Sequence, residues 1–238
     1  MRERIDAVYQ AIYLLFNEGY HGSQSEQTVR DDLCFEAIRL ALLLSEHPEA
    51  ATPKTFALLA LLCFHAARLS GRTGDNGILI QLEMQDRSKW DRDLMTKGFH
   101  FLQKSSTGDE ISEFHIEAVI ASLHCAAASY RETEWDKILE LYDLLYRLKP
   151  TPIVALNRAV AVGNTLGPEA GLEELSRIAD SDRLKEYPFY PAARGEFYLL
   201  AGRPTEAAKQ FEKAKRLARS QPEINYFERK INECRSAS

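Results

Sequence analysis

The amino-acid sequence predicts an all-α protein with two parts: a helical N-terminal subdomain at residues 1–108 and a tetratricopeptide-like solenoid of helix pairs at residues 109–238. Apolar residues recur at the helical spacing of three and four positions along the N-terminal half. No segment of strand length clearly alternates apolar and polar residues. Beyond about residue 119, small, aromatic and alanine positions recur roughly every 34 residues, the length of a tetratricopeptide repeat.

The first two helices follow from the apolar stripes near the N-terminus. One stripe runs from Ile5 to Phe16, and the predicted helix ends at residues 17–20, with Gly19 as a left-handed cap. A polar loop is expected at residues 21–27. A second apolar stripe over residues 33–44 predicts the second helix.

Two further helices complete the predicted N-terminal subdomain. Pro53 opens the third helix, which extends to about Arg68. A turn-rich loop at residues 71–77 and a short extended segment at residues 78–82 are expected next. Ser88 then caps a fourth helix that carries apolar residues from Trp90 to Leu102.

The C-terminal half is predicted to contain repeated helix pairs and a final capping helix. The pairs are placed at about residues 119–152, 153–187 and 188–221, and the cap at residues 222–234. The third pair matches the repeat best, since Gly195 stands where two antiparallel helices approach closely. The middle pair departs from the repeat because Gly163 stands where an aromatic residue is usual. Tyr226 and Phe227 of the cap are expected to cover the last pair.

The charge of the chain bears on its partners. Thirty basic and 35 acidic residues give a formal net charge of −5, whereas a self-sufficient nucleic-acid binder usually presents a basic surface. Residues 109–143 carry a net charge of −7 and residues 203–235 one of +4. These segments are either solvated helix faces or, for the basic one, a contact surface for an acidic partner.

The sequence contains no motif of an enzyme or a metal site. Phosphate-binding and dinucleotide-binding glycine loops, a zinc-protease helix and a nucleophile elbow are absent, and no two of the six histidines have helical metal-ligand spacing. We therefore expect no catalytic residue, no metal and no cofactor. Four scattered cysteines, no long apolar window and an N-terminus of mixed charge predict reduced thiols, no membrane span, no secretory signal and a cytoplasmic location.

Two polar clusters are candidates for a role beyond the core. The first contains Asn17, Glu18 and Tyr20 together with Glu36 and Arg39. Glu36 and Arg39 are three residues apart and would share a helix face. We expect this cluster to be structural, with hydrogen bonds that clamp the end of the first helix to the second.

The second polar cluster lies just before the fourth predicted helix. Its members are Asp86, Arg87, Trp90 and Asp91, with Arg68 as a neighbour. This combination could grip a carboxylate or a phosphate. Alternatively, it forms a helix N-cap and an ion-paired helix start, with the aspartates as the partners of Arg87.

Five segments of the chain, taken in order, carry a resemblance to a known family. They are Leu15–Tyr20 (LFNEGY), Asp32–Leu40 (DLCFEAIRL), Leu58–Leu62 (LLALL), Gln85–Asp91 (QDRSKWD) and Leu156–Val162 (LNRAVAV). Together they resemble the C-terminal extension of bacterial extracytoplasmic-function RNA polymerase sigma factors, which itself resembles tetratricopeptide repeats. The resemblance covers about residues 7–233.

The resemblance implies a regulatory function. The two sigma-factor domains that read the promoter lie upstream of such an extension, and we expect the chain to be either a fragment of a sigma factor or a stand-alone homologue of the extension. It would control transcription initiation by contacting sigma-factor core domains, RNA polymerase or a small regulatory protein, without binding DNA itself. The family supplies no catalytic residue.

An alternative function is the sensing of a small molecule. The ligand would bind in a pocket between the N-terminal helices and the repeats, lined by Arg68, Arg87 and Trp90 and also by Asn157 and Arg158. An enzymatic function has only the polar clusters in its favour.

Overall fold

The protein is built from α-helices. The computed structural model describes residues 2–21, 30–72, 80–178 and 184–237. Within these ranges it contains twelve α-helices, two short 3-10 helices and no strand, which confirms the predicted all-α class. None of the helices in the described ranges has the length and apolar character to cross a bilayer. The predicted loops at 21–27 and 71–77 fall largely outside the described residues. Of the extended segment predicted at 78–82, residues 80–82 are described; they form no strand, and Leu82 begins a 3-10 helix.

The chain divides into two compact units, Met1–Glu134 and Trp135–Ser238. The helices of the first unit are α1 (Arg2–His21), α2 (Asp31–Glu46), α3 (Pro53–Ala66), α4 (Leu69–Arg72), α5 (Arg92–Ser105) and α6 (Glu113–Ala126), with 3-10 helices at Leu82–Met84 and Arg87–Lys89. Those of the second unit are α7 (Trp135–Leu148), α8 (Pro152–Leu166), α9 (Pro168–Ser176), α10 (Phe189–Leu200), α11 (Pro204–Leu217) and α12 (Gln221–Ser236).

Helix α3 is the centre of the first unit. It packs against α1, α2, α5 and α6, and every residue from Ala57 to Phe64 is at most 1% exposed. The sequence permits this because no charged residue interrupts that run, and a helix that is apolar on all sides must be covered on all sides. Thr52 caps the helix by accepting a hydrogen bond from the Thr55 backbone nitrogen, and Pro53 occupies the first turn.

Helix α1 continues through the residues that were expected to end it. The helix reaches His21, so the prediction of a left-handed cap at Gly19 is wrong. A Cβ atom at Gly19 would lie 2.8 Å from the Arg30 carbonyl oxygen and 2.9 Å from the Cys34 backbone nitrogen. The glycine therefore allows α1 and the start of α2 to approach closely, and the Arg30 backbone nitrogen donates to the Gly19 carbonyl oxygen at 2.7 Å.

Helix α5 begins later than predicted. Asp91 is its N-cap, because its side chain accepts a hydrogen bond from the Leu94 backbone nitrogen at 2.9 Å. Ser88 lies in the preceding 3-10 helix and does not cap α5. Trp90 stands between the two helices, so it is part of a turn and not of the helix on which it was predicted.

In the second unit, consecutive helices are packing partners. Each of the six helices from α7 to α12 contacts the next one along the chain, as in stacked helix pairs. The predicted third pair corresponds to α10 and α11, and a Cβ atom at Gly195 would lie 2.9 Å from the Phe211 ring. Tyr226 and Phe227 of α12 share a buried cluster with Phe211, as expected of a capping helix. The solenoid arrangement itself stays a prediction.

The division between the units differs from the boundary predicted at residues 108/109. Helix α6 belongs to the first unit, because Phe114, Ala118, Ala121 and Cys125 lie in the same apolar cluster as α3. The predicted first pair at residues 119–152 is therefore shared between the units, with α7 in the second.

Candidate functional site

The segment that contains the second polar cluster docks onto the end of the central helix. The Asp91 backbone nitrogen donates to the Ala67 carbonyl oxygen at 2.8 Å, just after α3 ends. The Asp86 carboxylate accepts hydrogen bonds from the backbone nitrogen of Ser88 at 2.9 Å and from its hydroxyl at 2.6 Å. The carboxylates of Asp86 and Asp91 therefore both accept hydrogen bonds from residues of their own turns.

Arg87 caps the C-terminal end of helix α6. Its Nη1 donates to the carbonyl oxygens of His124, at 2.6 Å, and Ala127, at 2.5 Å. Carbonyls at a helix C-terminus have no partner within the helix, and a positive charge there is favourable. The expected ion pair between Arg87 and Asp86 or Asp91 does not form, since Arg87 is engaged with main-chain oxygens.

Trp90 lies in contact with two arginines. The side chain is only 2% exposed, and the guanidinium carbons of Arg87 and Arg68 lie 4.9 and 5.4 Å from the ring centroid. At these distances both cations interact favourably with the indole π system. A Cβ atom at Gly71 would lie 2.9 Å from the indole nitrogen, so the glycine makes room for the ring.

A third arginine belongs to the same part of the first unit. Arg72 stacks on the Tyr20 ring, with its guanidinium carbon 3.6 Å from the ring centroid. Burial lowers the pKa of Arg72, and the positive charge of Arg68 acts in the same direction. Burial and the charge of Arg68 likewise lower the pKa of Arg87. Arg68 therefore lies close enough to both Arg72 and Arg87 for repulsion between their charges. We call these three residues the arginine cluster.

The groups beside the arginine cluster are held in their neutral forms. Burial lowers the pKa of His124 to about 3, with the charges of Arg68 and Arg87 contributing. Burial raises the pKa of the Cys125 thiol to about 11. A neutral imidazole and a protonated thiol are poorly suited to general acid or nucleophilic chemistry near neutral pH.

The remaining cysteines are buried as well. None of the four cysteines, all within the described ranges, forms a disulfide, and burial raises the pKa of both Cys34 and Cys63 to about 12. Thiols in this state are inert structural residues. Among the residues that the structure describes, no group of three or more histidine, cysteine or acidic side chains is arranged to hold a metal ion.

In the first polar cluster, Glu36 and Arg39 pair with each other, while the end of α1 is joined to the start of α2 by the hydrogen bond from the Arg30 backbone nitrogen to the Gly19 carbonyl oxygen. Arg39 donates to both carboxylate oxygens of Glu36, at 2.7 and 2.8 Å, on the surface of α2. Exposed pairs of this kind contribute little to stability. Tyr20 is buried, Asn17 is half-buried and Glu18 is exposed.

Arg158 holds three helices of the second unit together. Its Nε lies 2.6 Å from an Asp143 oxygen on α7 and its Nη1 lies 2.5 Å from a Glu174 oxygen on α9. The neighbouring Asn157 is exposed on α8. The structure thus brings Arg68, Arg87 and Trp90 together in the first unit, while Asn157 and Arg158 belong to the second.

Sequence reasoning did not identify a basic groove in the second unit, between α10 and α11. The groove has a volume of about 500 Å³ and is lined by Lys185, Tyr190, Pro191, Arg194, Gln210, Lys213, Arg216 and Leu217. No carboxylate in the described part of the chain forms an ion pair with Arg194, Lys213 or Arg216. The excess of basic residues over residues 203–235 could have indicated a basic surface. It does not reveal that Arg194, which lies outside that segment, lines the same groove.

Comparisons with known proteins relate the chain to proteins without an assigned function. Residues 4–106 match the model of a family of unknown function, DUF6596. An uncharacterized protein of Rhizobium meliloti (strain 1021) is 39% identical over 231 residues, which are 97% of this chain and 54% of that protein. The chain therefore spans about half the length of this relative.

Proposed function

We propose that the chain is the regulatory, protein-interacting part of an extracytoplasmic-function RNA polymerase sigma factor. It acts in the cytoplasm and controls transcription initiation through protein contacts, without contacting DNA. The observation that carries the proposal is the order of the five segments that resemble the sigma-factor extension. The Rhizobium relative is compatible with it, because nearly half of that protein lies outside the matched region.

The positions of the five segments in the fold support their use as evidence. Phe16 and Cys34 are fully buried, the third segment forms the centre of α3, Arg87 caps α6 and Arg158 joins α7, α8 and α9. These residues are the ones on which the packing of each unit depends. A resemblance in such positions is the expected result of a shared fold.

The basic groove is the surface that we assign to the partner. Arg194, Lys213 and Arg216 provide three positive charges without ion-pair partners among the described residues, beside the ring of Tyr190 and the side chain of Leu217. Charge complementarity favours an acidic segment of a protein as the occupant. The net charge of −5 disfavours nucleic acid, since repulsion by the rest of the chain opposes binding of a polyanion.

The test uses purified components from the organism that encodes the chain. The labelled chain is titrated with core RNA polymerase and, separately, with the promoter-binding domains of an extracytoplasmic-function sigma factor, and binding is followed by fluorescence anisotropy. We expect saturable binding to one of the two. Absence of binding to both would contradict the proposal, as would nanomolar binding of the chain alone to promoter DNA, an affinity typical of specific DNA readers.

A matched pair of variants tests the groove. R194E/K213E/R216E reverses three charges in the groove, whereas R92E/K97E/R147E reverses three exposed charges elsewhere and changes the net charge equally. We expect the groove variant to bind at least about tenfold more weakly and the control to change less than about threefold. Equal losses in the two variants would remove the groove from the proposal.

A further inference from the structure

We propose that the arginine cluster of the first unit is a binding site for a small ligand that carries a phosphate group. The proposal is independent of the sigma-factor assignment and concerns a different unit from the basic groove.

The three members of the arginine cluster have no ion-pair partner among the residues that the structure describes. No carboxylate of the described residues lies within ion-pair distance of Arg68, Arg72 or Arg87. Arginines elsewhere behave differently: Arg39 pairs with Glu36 at 2.7 Å, and Arg158 contacts two carboxylates. Three half-buried positive charges without an ion-paired carboxylate in the described part of the chain form a site with excess positive charge, and bringing an anion to it relieves their repulsion.

Hydrogen-bond donors at the arginine cluster are also unused. The Nε of Arg68 is buried without an acceptor, and so is the indole nitrogen of Trp90. Buried donors in folded proteins are nearly always paired, so each such exception points to a missing partner. An oxyanion offers several separate oxygen acceptors in a fixed geometry, which distinguishes it from the single spherical acceptor of a chloride ion.

The three arginines have different roles in the proposed site. Arg87 is engaged with the end of α6 and Arg72 is stacked on Tyr20, so both are fixed positive charges. Among the described residues, the guanidinium group of Arg68 has no hydrogen-bond acceptor, and it lies over the face of the Trp90 ring. Arg68 is therefore the residue that contacts the ligand. Its planar fork matches the oxygens of a phosphate, and the combined charge of the three arginines suits a dianion.

The low pKa of His124 is consistent with a positive potential at the site. Burial is the main cause, and Arg68 and Arg87 add to it. The carboxylates of Asp86 and Asp91 lie at their own turns, where they accept hydrogen bonds from the backbone nitrogens of Ser88 and Leu94, and neither forms an ion pair with Arg68, Arg72 or Arg87.

The fluorescence of Trp90 provides a direct readout. The chain has two tryptophans, and replacing Trp135 by phenylalanine leaves Trp90 as the only indole. This protein is titrated with inorganic phosphate and with pyrophosphate, against sodium chloride and sodium citrate at matched ionic strength. We expect a saturable change in fluorescence and a rise in Tm with phosphate or pyrophosphate only. Equal responses to phosphate and chloride would overturn the proposal, and an equal or stronger response to citrate would assign the site to carboxylates instead.

Variants then identify the contacting residue. Arg68→Ala should weaken phosphate binding at least about tenfold, whereas Arg39→Ala, which removes an exposed and paired arginine, should not change it. Arg68→Lys keeps the charge but loses the bidentate fork, and an intermediate loss of about threefold to tenfold is expected. Arg68→Lys decides the outcome if Arg68→Ala does not fold. Unchanged binding in the lysine variant and, where it folds, in the alanine variant would refute the role of Arg68. None of these measurements requires polymerase or sigma-factor domains, so failure here is separable from failure of the proposed function.

Discussion

Replacing Gly163 by alanine would test how tightly α8 packs against α10. A Cβ atom at Gly163 would lie 2.1 Å from Cζ and 2.3 Å from Cε1 of Phe197. The ring has little room to retreat, since a Cβ atom at Gly171 would lie only 2.5 Å from its Cε2. Because carbon atoms in contact stay about 3.5–4.0 Å apart, the ring or a helix must move by more than about 1 Å.

The expected loss follows from two opposing effects. Overpacking of a close-packed interior costs about 1–3 kcal/mol and occasionally more. Alanine has a higher helix propensity than glycine by about 1 kcal/mol, which acts against that loss. The overlap at Gly163 is severe enough for overpacking to dominate, and we expect the free energy of unfolding to fall by about 1–3 kcal/mol. The nearest ring atom would lie 2.1 Å from a Cβ atom at Gly163, 2.5 Å from one at Gly171 and 2.9 Å from one at Gly195. The loss of unfolding free energy should therefore be largest for Gly163→Ala, smaller for Gly171→Ala and smallest for Gly195→Ala.

Urea unfolding followed by circular dichroism measures this directly, and a double mutant isolates the contact. In a Phe197→Ala background the added methyl group has space, so Gly163→Ala should be neutral or stabilising by up to about 1 kcal/mol. The reasoning is refuted if Gly163→Ala stabilises the protein that retains Phe197, because helix propensity alone would then explain the result.

Other variants probe separate contacts. Arg87→Ala should lower the free energy of unfolding by about 1.5–3 kcal/mol, because the charged hydrogen bonds to the end of α6 are lost. A melting temperature unchanged by the substitution would contradict the capping role. Burial lowers the pKa of His124 from an ordinary 6.5 to about 3 in the folded protein, so its contribution to stability is complete above pH 6.5 and decreases as the pH falls toward 3. Between pH 6 and 4 the free energy of unfolding of the natural protein, measured with urea, should therefore decrease by up to about 1.4 kcal/mol per pH unit more than that of His124→Gln, and parallel profiles would disprove the shift. Arg158→Ala should cost about 0–1 kcal/mol for each ion pair, and this loss should shrink in 1 M salt, as melts with and without added salt would show. Gly195→Leu should destabilise more than Gly195→Ala, and equal melting temperatures would mean that the helix-pair register is wrong.

Much of the secondary structure could be predicted because it depends on local pattern. Gly195 was assigned to the position of close helix approach from spacing alone, and the structure places it against the Phe211 ring of the paired helix. The assignment of α6 was different. Repeat spacing relates neighbouring helices, whereas Phe114 and Cys125 pack onto a helix more than 40 residues earlier in the chain, and such pairing leaves no local trace in the sequence.

The candidate site was predictable in composition but not in geometry. Arg68, Arg87 and Trp90 were grouped correctly. The partner of Arg87 was predicted wrongly. Every residue has a backbone carbonyl, so the sequence does not show which carbonyls bind Arg87, whereas the neighbouring aspartates are visible in the sequence as possible partners. Arg72 was missed for a related reason, since stacking on Tyr20 joins segments that are far apart in the sequence.

The position of α3 in the chain has a consequence for synthesis on the ribosome. This helix ends at Ala66, while α6, which covers one of its sides, ends at Ala126. At about 5–20 residues per second, the 60 residues between these points take roughly 3–12 s to translate. During that interval a helix that is apolar on every side lacks part of its cover and is exposed to aggregation and to chaperones. A nascent chain that stops near residue 106, where the match to the DUF6596 family ends, would remain in this state. The shortest piece of the protein expected to fold therefore extends beyond that match, to the end of α6.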